Sequence, residues 1–257
     1  MDKLFRTLAL DFPDLEDLVD EVHDCAQLAL EDVPAFEAVL RYQDPSGPQL
    51  SIFSFDTEWT ALPSLRTAKP TEVAAYRITP YIALVEISGG GRRETEDSAL
   101  KSADSGAHDL RFSALSDSAF ALPAGNPAGG ERRAEAMDIA AVALDVTLSQ
   151  ADAESDRDSG GKDVGAEFLL RAPSTEEFYR SYKPRWVTPH AHIEGVIKSV
   201  EQRHVGLTDQ DFYFCTVPTP FGDLALALPA DAAPKVGQRC SGEVIMVAST
   251  HHWPPRY

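Results

Sequence analysis

The stretch DFYFCTVPTPFGDLALALP, residues 211–229, restricts the fold more than any other part of this 257-residue chain. Leu224, Leu226 and Leu228 alternate with Ala225 and Ala227, a period of two that matches an extended strand and no helix. PTPFG, between this run and the aromatic DFYFCTV, is turn chemistry, so the two runs read as neighbouring strands. AHIEGVIKSVEQ before them and GEVIMVAS after them extend the series to four strand candidates, with turns at VGLTDQ and a longer ADAAPKVGQ connection. Strand order, glycine placement and the PKVGQ lead into the last strand predict a small OB-like β-barrel over residues 185–257, one strand short of the usual five. Gly195 allows a bend in its first strand, and His204 falls near a hairpin tip.

Upstream the pattern is mixed. DFPDLEDLVDEVHDCAQLALED carries Leu15, Leu18, Val19, Val22, Ala26 and Ala29 at helical spacing, with Asp11 available as N-cap and acids in the first turn. AFEAVLRY and QLSIFSFD flank the QDPSGP turn as a hairpin, and AYRITPYIALVEISGG is a further strand candidate. LRFSALSDSAFALP reads as a strand, whereas EAMDIAAVALDVTLSQ fits a strand or the start of a helix. Residues 89–108 and 152–164 are polar, glycine-rich and acidic, and are expected to be disordered loops. STEEFYRSYKP, with Ser174 and Glu177 as a capping box and Pro184 as a stop, predicts a linking helix over residues 173–184. The expectation is therefore an α+β chain. An acidic domain over residues 1–172, one main helix on an antiparallel sheet, leads through that helix into the barrel.

Charge narrows the choice of partner. From Lys183 onward seven basic residues balance seven acids, so the remaining 16 basic and 34 acidic residues place the whole net charge of −18 on residues 1–182. Such a surface repels phosphate backbones, which makes nucleic acid an improbable partner for the whole chain and another protein the expected one. No window approaches 18 uncharged apolar residues, so no membrane span is expected. Cys25, Cys215 and Cys240 are odd in number and far apart, the pattern of reduced thiols in a cytoplasmic protein.

Together, a short N-terminal helix, FSALSDSAFALP and the stretch from EGVIKSVEQRHVG to SGEVIMV resemble a family of uncharacterised bacterial proteins with an OB-like C-terminal domain. The resemblance lies mainly in the last 70 or so residues. It implies an architecture and a bacterial origin, and no catalytic residue.

Two residue sets carry candidate chemistry. His190 and His192 share one face of an extended strand and would form a metal site if they met His251 and His252 of the tail. Phe212 and Tyr213, with Lys198 and Arg203 nearby, would stack and neutralise single-stranded nucleic acid on a barrel face. DSGGKD lacks the earlier glycine and the following Ser or Thr of a phosphate loop, so no cofactor is expected. His23 and Cys25 point apart on their helix and make no catalytic pair. The sequence thus favours a non-enzymatic protein-binding or scaffold module. Single-stranded nucleic-acid binding and a metal-dependent enzyme built on the C-terminal histidines are the alternatives.

Overall fold

The computed structural model describes residues 3–26, 28–31, 36–56, 58–88, 110–125, 133–150 and 168–250. Both expected disordered loops, residues 89–108 and 152–164, and the tail with His251 and His252 fall outside the described residues. Two helices open the chain, α1 (Lys3–Thr7) and α2 (Leu15–Cys25). The N-cap of α2 is Asp14 rather than Asp11, since its carboxylate accepts from the Asp17 backbone N–H at 2.8 Å. Leu18 and Val22 are fully buried, each worth about 1.5–3 kcal/mol of apolar burial.

A four-stranded antiparallel meander follows: β1 (Leu28–Glu31), β2 (Ala38–Gln43), β3 (Pro48–Phe55) and β4 (Glu58–Leu65). Its central hairpin is the one that the QDPSGP turn predicts, with Gln43 opposite Gln49. The remaining strands form a single ten-stranded mixed sheet. They are β5 (Thr71–Thr79), β6 (Ile82–Ile87), β7 (Leu110–Ser116), β8 (Arg133–Gln150), β9 (Leu169–Arg171), β10 (His190–Val196), β11 (Ser199–Val205), β12 (Gln210–Thr219), β13 (Gly222–Pro229) and β14 (Gln238–Thr250).

The expected α+β class, one main helix on a sheet plus a small OB-like barrel, is therefore corrected. The chain is mostly β, and strands from both halves share one sheet. The physical reason is β8, the segment left open between strand and helix. It pairs antiparallel with β14 from Met137 opposite Thr250 to Gln150 opposite Gln238, and parallel with β13 at Ala140–Val142. Local periodicity gives no sign of pairing across such separations in the chain.

The β8–β14 ribbon is the common wall of two rings. One runs β8–β5–β6–β7 and returns to β14; the other runs β8–β13–β12–β11 and returns through β10 to β14. Between β10 and β11 the chain changes neighbours, as Ile197 N–H donates to Gln238 and Lys198 N–H to Thr216. At Gly195 a Cβ would come within 2.4 Å of the Val217 side chain, so close approach rather than a bend explains this glycine. The ring interiors merge into one core, with Ile139, Ala141, Val244 and Met246 from the ribbon facing Val85, Phe112, Ile193 and Leu226. Ala140, Val142, Ile245 and Val247 point out of the other face, where Leu8 just after α1, Leu18 of α2 and Leu50 and Ile52 of the meander cover them. Burial on both faces is why β8 reads as an unbroken apolar run instead of an alternating one.

A buried polar lock joins the meander to the large sheet. Arg41 donates to Gln49 at 2.8 Å and to Ser249 at 2.9 Å, and lies 3.6 Å from Asp117, whose side chain is fully buried. Ser51 and Ser249 donate to the same Asp117 oxygen at 3.2 and 3.0 Å.

Helix α3 (Pro173–Ser181) falls within the segment expected to link two domains. It packs Phe178 against Tyr76, Leu84 and Val187 on the outer face of the first ring. The expected capping box does not form. The N-cap is Ala172, without a side-chain bond, and Ser174 is held instead by the Thr188 backbone.

Candidate binding cleft

Two strands leave the same edge of β8. β5 pairs along it up to Met137 and β13 begins at Ala140, so the starts of both strands diverge around Asp138 and Ile139. The gap is a cleft of about 780 Å³. Thr67, Lys69, Thr71 and Glu72 form one wall, Thr216, Phe221 and Asp223 the other, with Ile87 and Phe214 between them. A narrow throat of about 20 Å³, lined by Phe112, Ile139, Leu224 and Met246, joins its inner end to the merged core.

The rim is tied in place by polar contacts. Thr67 Oγ1 donates to buried Asp138 at 2.6 Å, which fixes the segment between β4 and β5 over the strand gap. Lys198 and Asp223 form a 2.7 Å ion pair at the opposite lip. The cleft thus combines aromatic and aliphatic walls with hydroxyl groups, which is the usual make-up of a site that holds a ligand by shape and a few hydrogen bonds. Asp138, Thr67 and Phe221 were not singled out from the sequence. Asp138 stands inside an apolar run, and a buried acid there is the one signal that could have flagged the position.

The stacking candidates are not gathered on one open face. Phe212 is fully buried toward the helices and the meander, and Tyr213 packs toward the ring interior. Arg203 lies over the Phe214 ring at 3.8 Å, donates to the Ser46 carbonyl at 2.9 Å and pairs with Glu201 at 2.7 Å. Lys198 is the member of that set that reaches the cleft, through Asp223.

His190 and His192 do share a face. They line a separate groove of about 270 Å³ with Ser174, Thr188 and Glu243, and Glu243 is the cross-strand partner of His192. The His192 ring is 3.4 Å from Glu194. Among the described residues no group of three or more His, Cys, Asp or Glu side chains is arranged to hold a metal ion. His204 sits at a hairpin tip between Asp211 at 2.9 Å and Asp209 at 3.2 Å; the bond to Asp211 first, and both negative charges, raise its pKa above the usual imidazole value.

Cys215 and Cys240 are fully buried, and burial pushes their thiols up to about 12 and about 11. Cys25 is exposed. Since the thiolate is the reactive form, a thiol-specific chromogenic reagent should modify Cys25 alone in the folded protein and all three cysteines after denaturation. Native-state labelling of a second thiol would show that the ring interior opens.

Among the described residues no helix is long and apolar enough to cross a membrane. Comparison with protein-family models, curated proteins and solved structures returns no match.

Proposed function

We propose that this chain is a cytoplasmic, non-enzymatic binding module that holds an extended polypeptide in the cleft between its two strand rings. The observation that carries the reading is the divergence of β5 and β13 from one edge of β8. β13 runs from Gly222, but its pairing with β8 covers Ala225–Ala227, so its first residues border the cleft as extended backbone. An added strand can hydrogen-bond to such an edge while the adjoining walls select alternate side chains. Phe221, Ile87 and Phe214 offer apolar contact, and Thr71 offers a hydroxyl. Reduced, buried Cys215 and Cys240 fit a reducing compartment.

Selection of displayed random peptides on the immobilised full chain tests this. Enriched peptides should bind with micromolar affinity, and Thr216→Arg or Phe221→Asp should weaken them at least about tenfold, about 1.4 kcal/mol. His190→Ala, in the separate groove, should leave them unchanged. Peptides indifferent to both cleft substitutions would overturn the proposal.

A further inference from the structure

We infer that the turn after α3 is a second docking surface, built for an acidic polypeptide segment that carries aromatic or aliphatic side chains. Residues 182–186, YKPRW, are exposed throughout. Tyr182 and Trp186 keep 50% and 59% of their surface in water, unusual for side chains of this size. The turn is rigid rather than loose. Tyr182 ends α3 in the left-handed conformation at φ 56°, with its N–H bonded to the Phe178 carbonyl, and Pro184 restricts the next step. Val187, directly after the exposed run, is buried against Tyr76 and Phe178. Three hydrogen bonds between Ser174 and Thr188, at 2.8–3.2 Å, then fasten the turn to the start of the helix. Little conformational entropy remains to be lost when a partner binds, which favours affinity.

The charge of the turn specifies the partner. Lys183 and Arg185 project from it in a chain of net charge −18, and the Arg185 guanidinium lies 5.1 Å from the Trp186 ring. Trp, Tyr and Arg are the residue types that dominate the energetic centres of protein interfaces. A long polyanion such as nucleic acid, or an anionic membrane, would meet the repulsion of the whole acidic chain over roughly a Debye length of 8 Å and beyond its few contacts here. A short acidic segment brings only a few charges and places them against Lys183 and Arg185.

The test uses the full chain and a fluorescent peptide of repeating Asp-Glu-Phe-Ser, read by anisotropy. It is run beside labelled oligo(dT), phosphatidylserine-containing vesicles and the same peptide with Asn and Gln for its acids. The acidic peptide should bind, more weakly as salt rises from about 50 to about 300 mM. Trp186→Ala and the combined Lys183→Glu, Arg185→Glu change should each reduce affinity at least about tenfold. All three residues are exposed, so folding is not at stake. Thr216→Arg in the inter-ring cleft should leave this binding unchanged, which separates the two surfaces. No binding at about 100 μM, equal binding by the variants, or tighter binding of oligo(dT) or vesicles than of the peptide overturns the inference.

Discussion

Asp117→Ala is expected to destabilise the protein by about 3–5 kcal/mol, a large share of the roughly 5–15 kcal/mol that holds a typical domain folded. Asp117 supplies the counter-charge for Arg41, whose side chain is itself almost wholly buried, and accepts from Ser51 and Ser249. Removing the carboxylate takes this counter-charge away from a guanidinium in a site that water cannot reach, and deprives two buried hydroxyls of their acceptor. Urea denaturation followed by circular dichroism measures the loss; a change below about 1 kcal/mol would show that the lock contributes little. The same residue should leave a pH signature. Burial raises the Asp117 pKa, against the opposing effects of Arg41 and the hydroxyls of Ser249, Ser51 and Ser118. Because the folded value lies above the unfolded one, the native state binds this proton more tightly. Its contribution is fully present below the ordinary carboxylate range and is lost as pH rises through the folded value. Stability should therefore fall with rising pH over that window, and Asp117→Asn should remove that part of the slope.

Gly242→Ala should be comparably harmful, about 3–5 kcal/mol from backbone strain plus overpacking. Gly242 has φ +153°, and a Cβ there would stand 2.0 Å from the Asp145 carbonyl oxygen and 2.7 Å from the Val146 Cα. Both are backbone atoms of β8, so no side chain can swing aside. The site adjoins the irregularity in β8–β14 pairing at Glu243 and Val244, where the ribbon shared by the two rings has its register shift. A thermal transition close to that of the unmodified protein would mean that the ribbon yields more easily than close backbone packing allows.

Several elements are legible in the residues alone. The alternation of Leu224, Leu226 and Leu228 with alanines gives β13, the turn residues of QDPSGP give the β2–β3 hairpin, and the Leu18 and Val22 stripe gives α2. Each rests on neighbours in the chain, where period and turn chemistry act. The capping box failed for a tertiary reason: Ser174 finds a better-placed partner in Thr188, fourteen residues away, than in its own helix. His190 and His192 lie on one face, as strand geometry requires, but what stands opposite them is Ile245 and Glu243 respectively, set by the register of β14. Phe212 and Tyr213 show the same limit. Their alternation is visible in the sequence, while the cover over Phe212 comes from helices and a meander roughly 150 to 200 residues earlier.

The sequence by itself determined that β13 and the β2–β3 hairpin extend, that α2 coils into helix and how charge is divided along the chain, because propensity, periodicity and net charge are local or additive. Only the tertiary structure decided that β8 stands between β13 and β14, that β5 and β13 part around Asp138 to open a cleft, and that Arg41 and Asp117 meet in the interior. Those outcomes depend on strand pairing between distant segments. Its selectivity comes from the mutual fit of whole apolar faces, and no single run of residues encodes such a fit.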